Sequence, residues 1–362
     1  MAVGFGIIGC GMISRFHARA INDVKGAKLV ACYSQNPASA AKLAAEFHCK
    51  PYDDLAAMLA DKDVAAVTIA TPSGAHLEPG VAAAKAGKHV IVEKPLEISL
   101  KRCDALIAAC EKHGVVLSTI FPSRFHAPSL EIKKAIDAGR FGQTTLGDAY
   151  VKWFRTQQYY DGGKWRGTWE LDGGGALMNQ AVHSVDLLTW FMGPVVEVTA
   201  HTATLAHERI AVEDTVVATL KFASGALGVI EASTAVYPGY LKRIEISGSH
   251  GTAVMEEEDI KVWDFAKKLK KDDEVHAKMA TAKSGGGGAS DPAAIGHHGH
   301  ARQFADVVDA IKKGRKPAID GHEGRRSIEI ILAIYKAAES GKVVKLPLAG
   351  DPSFPGRKVK AK

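Results

Sequence analysis

Val3-Gly4-Phe5-Gly6-Ile7-Ile8-Gly9-Cys10-Gly11-Met12-Ile13-Ser14 opens the chain with an uncharged apolar run that ends in a glycine turn. The run Val3–Ile8 reads as a strand buried on both faces, because it has no polar alternation. Gly9 permits a tight turn, and Gly11 has no side chain to keep a pyrophosphate from the N-terminus of the next helix. Ser14 is small enough for close packing of that helix on the sheet. Strand, Gly-x-Gly turn and helix in this order predict the first βα unit of a dinucleotide-binding sheet, with Gly9, Gly11, Met12 and Ile13 along the cofactor. A bare tight turn is the plainer alternative, and the surrounding pattern decides against it.

That pattern continues to about residue 120. Lys28–Tyr33, Val64–Ala70, His89–Val92 and Val115–Ile120 read as further strands. Ile13–Asp23, Pro37–Phe47, Ala75–Ala86 and Ser99–His113 read as the helices between them. Such alternation predicts a parallel sheet with helices on both faces, a Rossmann domain over residues 1–121. After residue 145 the texture changes. Gly147–Arg155, Val195–Leu205, Asp214–Phe222, Ala226–Thr234, Leu241–Ser247, Thr252–Glu256 and Ile260–Phe265 are closely spaced strand patterns, the later ones with turn signals and no helix between. They predict an antiparallel meander in a second, substrate-binding domain over residues 122–362. One helix, Gly175–Met192, precedes the meander, and two more, His300–Lys313 and Glu323–Ser340, close the chain, the last able to pack back on the first domain. Residues 266–295, rich in lysine and then glycine, read as a flexible loop.

A length of 362 residues suits two domains, and a hydrophobic content of 46% excludes a disordered chain. Glycine is in excess, 36 residues or roughly 10% against an ordinary level of about 7%, without a collagen period. The net charge of +6 is mild, and four of the basic side chains sit in the last six residues, Arg357 to Lys362, as a tail. No basic face with interleaved aromatics suggests a nucleic-acid partner. Five cysteines without a CxxC pair read as reduced thiols. The N-terminus lacks the basic region of a signal peptide, and no apolar run nears the roughly 20 residues of a membrane span, so the expectation is a cytoplasmic protein.

Three places carry candidate chemistry. At the end of the second strand, Tyr33-Ser34-Gln35-Asn36 lacks the acid that usually holds the adenosine ribose. Nothing there repels a 2′-phosphate and no arginine grips one, so the reading is NAD(P) with a slight lean toward NADP(H), Ser34 being at the contact. The fourth predicted strand ends Glu93-Lys94-Pro95 at the carboxyl edge of the sheet. Lys94 could stabilise an alkoxide beside the nicotinamide, or be a solvated lysine leaving a strand. The helix Gly175–Met192 is apolar around most of its girth, yet Asn179, His183 and Asp186 fall at i, i+4 and i+7. Burying such a stripe unpaired costs roughly 2–7 kcal/mol per group, and a polyol would pair it. His183 then suits proton exchange; the alternative is a core histidine bonded to Asp186 or a carbonyl. Gly173-Gly174-Gly175 before the helix would admit a ligand close to its N-terminus. Upstream, Trp153, Tyr159, Tyr160, Trp165 and Trp169 mingle with Lys152, Arg155, Lys164 and Arg166, a mixture suited to sugars and to their anionic substituents; about half of it serves equally as sheet cover. The cluster His297-His298-Gly299-His300 has the wrong spacing for a metal centre, so no metal is expected.

At these residues the chain resembles the Gfo/Idh/MocA family, which includes glucose–fructose oxidoreductase and inositol dehydrogenase. The resemblance rests on Gly9-x-Gly11-x-x-Ser14, Ala70-Thr71-Pro72-Ser73-Gly74-Ala75-His76, Glu93-Lys94-Pro95, Gly173-Gly174-Gly175 with His183-x-x-Asp186, and Gly314-Arg315-Lys316-Pro317 through Gly321. It implies a Rossmann domain followed by an α/β domain whose mostly antiparallel open sheet packs into homodimers or homotetramers. It further implies catalysis by Lys94 and His183, and Thr71, Pro72, His76 and Glu93 along the cofactor. Arg124, Arg155, Trp165, Arg166, Asn179 and Asp186 are the expected substrate contacts, and the Lys94–Pro95 bond is cis in some members. Many members carry Asp where this chain has Asn179, which leaves acid–base work to Lys94 and His183. Trp165-Arg166-Gly167-Thr168-Trp169 looks like the branch of UDP-N-acetylglucosaminuronate 3-dehydrogenases. The implied activity is hydride transfer between nicotinamide and a secondary hydroxyl of a sugar, sugar derivative or cyclitol. A glycosidase with recycled NAD and a non-catalytic NAD(P)-binding sensor are the alternatives.

Overall fold

Unalternating apolar runs belong in a sheet covered on both faces, and the first third of the chain builds one. The computed structural model describes residues 2–163, 165–281, 288–289 and 296–354. Lys164, most of the tetraglycine and the basic tail lie outside them. The chain divides into two units, Met1–Pro122 with Gly296–Ile328, and Ser123–Ile295 with Glu329–Lys362. Gly296–Ile328, expected in the second domain, therefore groups with the first.

In the first unit six parallel strands stand in the order β3-β2-β1-β4-β5-β6. They are β1 (Val3–Ile8), β2 (Ala27–Tyr33), β3 (Lys50–Tyr52), β4 (Ala66–Ile69), β5 (His89–Val92) and β6 (Leu117–Thr119). Between them run α1 (Met12–Asp23), α2 (Pro37–Phe47), α3 (Leu55–Ala60), α4 (Leu77–Lys85) and α5 (Leu100–Lys112). Strand order reverses between β1 and β4, the switch point at which such sheets take ligands. β3 and α3 are not in the periodicity. β3 has three residues, one of them Pro51 at the sheet edge, and α3 is a six-residue turn fixed by the Asp54 carboxylate accepting from the Ala56 and Ala57 amides. The helix His298–Lys313 completes this unit. It buries Phe304, Val307 and Val308 with Phe5, Ile7, Ala18 and Ile21, and Phe304 meets Phe5 edge-to-face at 5.6 Å. Gln303 ties the helix to β6: its amide nitrogen donates to the Thr119 carbonyl at 2.6 Å and its oxygen accepts from the Phe121 amide at 3.0 Å.

The second unit holds an eight-stranded sheet, β13-β12-β11-β7-β10-β9-β8-β14. Its strands are β7 (Thr144–Lys152), β8 (Val195–Ala203), β9 (Thr215–Phe222), β10 (Leu227–Ser233), β11 (Arg243–Gly248), β12 (Gly251–Glu256), β13 (Asp259–Phe265) and β14 (Val344–Lys345). The expected antiparallel meander holds for β8-β9-β10 and for β11-β12-β13, and is corrected between them: β7 lies between β10 and β11, parallel to the first and antiparallel to the second. The cause is the link after β10. Arg155 donates its amide to the Thr234 carbonyl at 2.8 Å, and the Val236 and Tyr240 amides reach the Trp153 and Lys152 carbonyls at 3.1 and 2.8 Å. This link thus pairs along the end of β7 and delivers the chain to its far edge, where a short turn would have made a hairpin.

One sheet face is covered by α6 (Ala127–Asp137) and α8 (Val182–Met192), with α7 (Gln157–Asp161) in the connection between β7 and α8. The expected helix from Gly175 is wound as a π-helix over Ala176–Ala181 before α8 begins. The expected loop over 266–295 is corrected in part, for Lys270–Thr281 is a helix, α9. Asp272 anchors it, accepting from Arg140 at 2.7 Å, the Trp263 indole at 2.9 Å and the Leu269 amide at 2.7 Å. Residues 282–287 and 290–295 lie outside the described residues. The chain then forms α10, the His298–Lys313 helix of the first unit, and α11 (Gly321–Ser340). No helix among the described residues is long and apolar enough to cross a membrane.

Candidate active site

The β1–α1 turn is built by its glycines. Gly9 has φ of +95°, and a methyl group there would sit 2.8 Å from the backbone of Ala70. A methyl on Gly11 would meet nothing within 4 Å. Gly11 caps α1 without a side-chain hydrogen bond, and no acid stands in the first turn. Ser14 turns its hydroxyl back to the Gly11 carbonyl at 2.5 Å. Free space before an N-terminal turn uncapped by any side chain fits a dinucleotide pyrophosphate. Past β2, Ser34 accepts from the Asn36 amide at 3.3 Å, and the Asn36 side chain caps α2 through the Ala38 amide at 3.1 Å. No carboxylate stands there, as the sequence shows.

The loops after β4 and β5 are joined by His76, whose ring nitrogens lie 2.9 Å from the Pro95 carbonyl and 3.1 Å from that of Thr71. Burial holds its pKa below the usual imidazole value. His76 therefore braces the cofactor loops from inside, and Thr71 bonds the Ala75 carbonyl at 2.9 Å. Lys94 is half-buried at the end of β5, and the Lys94–Pro95 peptide is cis. Glu93 is buried beneath it, one oxygen accepting the Lys94 amide at 3.0 Å and the other His17 Nε2 at 2.7 Å. Burial pushes its carboxyl up, but the bonds from His17 and His300 outweigh burial and leave it well below the usual range. His300 enters the sequence reading only within a histidine cluster at a helix start, and His17 is missed by it. The only signal is a histidine on the buried face of α1. The His17, Glu93 and His300 ligand atoms lie within 4.8 Å of one another, as a metal would need. Both nitrogens of His17 are already paired, however, the second with Thr68 at 2.8 Å, so the group reads as a hydrogen-bonded buttress behind Lys94.

In the second unit, every residue from Gly173 to Thr189 is buried except Asn179 and His183, which are partly open. The helix presents those two polar side chains and hides the rest. Asp186, expected with them, is fully buried and closed in a bidentate pair with Arg124 at 2.6 and 2.8 Å. These two expected substrate contacts engage each other. Asn179 donates its amide to Asp172 at 2.6 Å, and Asp172 also accepts the Gly167 amide at 2.9 Å. The glycines before the helix serve the protein: a methyl on Gly174 would overlap the Tyr335 hydroxyl, and one on Gly175 the Glu213 carbonyl. The Glu213 carboxylate takes the Gly175 and Leu177 amides, so the expected ligand approach to this N-terminus is corrected. Glu213 is another residue without a local signal.

Arg155 is also committed internally, its terminal nitrogens donating to the Phe154, Gly288 and Ala289 carbonyls at 2.7, 2.6 and 3.0 Å. Arg166 lies over the rings of Tyr159 and Trp165 at 4.6 and 5.0 Å. Burial raises the Tyr159 pKa although Arg166 pulls it down. Gln180 donates to the Tyr159 hydroxyl at 3.2 Å while its own buried oxygen has no partner, and the Ser184 hydroxyl is likewise buried and unpaired. The unpaired Gln180 oxygen, next to Tyr159 and the arginine over its ring, suits a hydroxylated ligand.

Known proteins resemble this chain over most of its length. The oxidoreductase family with NAD-binding Rossmann fold (GFO/IDH/MocA) matches residues 3–121, and the GFO/IDH/MocA C-terminal domain matches residues 129–254. The WlbA dehydrogenase of Bordetella pertussis, solved with NADH and UDP-GlcNAcA, is 37% identical, with a TM-score of 0.87 over 96% of this chain and 98% of that chain. The WlbA dehydrogenase of Chromobacterium violaceum, with the same ligands, is 33% identical, with a TM-score of 0.86 over 96% of each chain. The myo-inositol 2-dehydrogenase of Thermotoga maritima is 28% identical over 94% of this chain and 98% of its own length.

Proposed function

The chain belongs to the GFO/IDH/MocA oxidoreductase family, and on that premise we propose its substrate and the groups that move the proton. It is an NAD(P)-dependent oxidoreductase that transfers a hydride between nicotinamide and a hydroxyl-bearing carbon of a sugar or polyol. The substrate we assign is a nucleotide-linked uronic sugar like the UDP-GlcNAcA held by the WlbA dehydrogenases. Arg166 with Trp165 and Tyr159 supplies the cation and the aromatic faces that an anionic sugar needs. One observation carries the catalytic assignment: on a helix otherwise buried from Gly173 to Thr189, only Asn179 and His183 open.

Bound nicotinamide supplies the hydride acceptor. His183 takes the hydroxyl proton as the carbon is oxidised and returns it in the reverse direction. Lys94 is the ammonium we assign to stabilise the charge that develops on the substrate oxygen. Asn179, whose amide nitrogen donates to Asp172, orients a neighbouring substrate hydroxyl. For the cofactor we favour NAD(H), with NADP(H) accepted more weakly. The end of β2 offers no arginine for a 2′-phosphate, and both WlbA structures hold NADH. This departs from the lean toward NADP(H) in the sequence. Five free thiols support a cytoplasmic, reducing location. A homodimer through the second unit's sheet is supported by exposed Leu146, Val217 and Leu227 on one face of it.

The test is absorbance-monitored reduction of NAD and NADP with UDP-GlcNAcA, free sugars, glycosides and inositols. The highest kcat/KM is expected with NAD and UDP-GlcNAcA. Preference for an inositol, or glycoside cleavage without net reduction, overturns the assignment. Lys94→Ala is expected to lower turnover by about 10³-fold while NADH affinity changes by less than about threefold.

A further inference from the structure

The helix bearing Asn179 and His183 begins against a single residue. The amides of Gly175 and Leu177 donate to the Glu213 carboxylate at 2.8 and 2.9 Å, and the Ala176 amide donates to the Glu213 carbonyl at 3.2 Å. Three successive donors that a helix start leaves unsatisfied are thus all taken by one residue. The Tyr335 hydroxyl, from α11, donates to the same carboxylate at 3.0 Å. Glu213 is buried, and Gly175 lies so close to its backbone that no side chain could intervene.

Directly after this clasp the chain winds as the π-helical segment Ala176–Ala181, which leads into α8 one residue before His183. π-helical and α-helical windings of the same residues differ by about one residue per turn. Slipping from one to the other would rotate every later side chain by about 100° around the axis. Fixing the amides at 175–177 selects the winding, and so the direction in which Asn179 and His183 emerge. We propose that Glu213 is a positioning residue for hydride transfer, holding the first turn of this helix so that Asn179 and His183 face the substrate. The inference rests on the assignment of His183 to proton transfer. It adds a carboxylate that touches neither substrate nor cofactor and acts through the backbone.

The test combines kinetics with a direct view of His183 by NMR of ¹³C-labelled histidine, the His183 resonance being assigned by its loss in His183→Asn. In Glu213→Gln, one oxygen acceptor becomes a donor facing amides that also donate. The His183 resonance is expected to shift or double while that of His17, in the first unit, stays in place. With UDP-GlcNAcA and NAD, kcat is expected to fall about 10–100-fold with a rise in the primary deuterium isotope effect, as for a displaced reacting group. NADH affinity should change by less than about twofold, because α1 is untouched. Tyr335→Phe, which removes only one donor, is expected to act in the same direction and more weakly, and it decides the matter if Glu213→Gln does not fold. An unchanged His183 resonance with kcat within about twofold overturns the inference. Full turnover in His183→Asn instead overturns the role given to His183, and the resonance still judges the clasp.

Discussion

Gly9 and Gly11 are two residues apart and answer to different demands. With φ at +95° and the Ala70 backbone 2.8 Å from any added methyl, Gly9 is required by the fold itself. Gly11 faces open space, so its lack of a side chain matters only when something else comes close. Gly9→Ala is therefore expected to destabilise the protein by about 1–3 kcal/mol, and Gly11→Ala to leave the melting temperature nearly unchanged while weakening NADH binding about tenfold or more. Thermal melts and NADH titration of the two variants check this contrast. Asn179 shows a residue whose identity was legible and whose reason was not. Its neighbour at 2.6 Å is Asp172, and a second carboxylate there would face like charge, whereas an amide donates. The same holds for Arg124 and Arg155: sequence marks a cation near the right helix or strand, and only contacts show that both are spent inside the protein.

Elements were legible in proportion to their length and period. β1, α2 and β5 have the bounds that their residues suggest, because an unbroken apolar run or a Pro-led apolar stripe is a local signal. The three-residue β3 and the six-residue α3 are too short to carry a period, and α9 is a polar helix whose anchor, Asp272, finds its partner in Arg140. Adjacent Glu213 and Asp214, on the approach to β9, titrate in opposite directions. Burial raises Glu213 to about 7 against the amides and Tyr335 that bind it. Burial also pushes Asp214 up, but His207 and the amides of residues 205–207 outweigh it and leave the carboxyl below the usual range. A folded pKa above the ordinary 4.5 means that Glu213 contributes stability in full below about pH 4.5, and that this is lost as pH rises through about 7. Asp214 is ionised in both states across that window, and His207, whose pKa is raised by Asp214 against burial, adds a loss of the same sign. The stability of the wild type relative to Glu213→Gln is thus expected to fall by up to ~3 kcal/mol between pH 4.5 and 8. Urea denaturation of both proteins at several pH values measures the difference.

At the scale of the whole molecule, the sheet face that carries exposed Leu146, Val217 and Leu227 is the feature with the largest consequence. Leu227 pairs across to Leu146 on β7, and Val217 to half-buried Glu231 on β10, which places exposed apolar side chains and a carboxylate in neighbouring rows. A homodimer through this face is expected by light scattering at micromolar concentration, and Leu146→Glu with Leu227→Glu is expected to give monomers. An unchanged dimer in that double variant would move the interface elsewhere. By itself the sequence determined the alternation of strands and helices in the Rossmann domain apart from β3 and α3, the glycine turn, Lys94 at a strand end and His183 on a buried helix. Each is written in a local period or a turn chemistry that a short stretch of chain carries alone. Tertiary structure decided that β7 stands between β10 and β11, that α10 completes the first unit, and that Glu213 and Tyr335 fill the space of the triple glycine. Those outcomes join residues far apart in the chain, 38 positions for Glu213 to Gly175 and 122 for Tyr335 to Glu213. Such pairs are chosen by which buried donors and acceptors meet when the chain closes, and no local pattern encodes that choice.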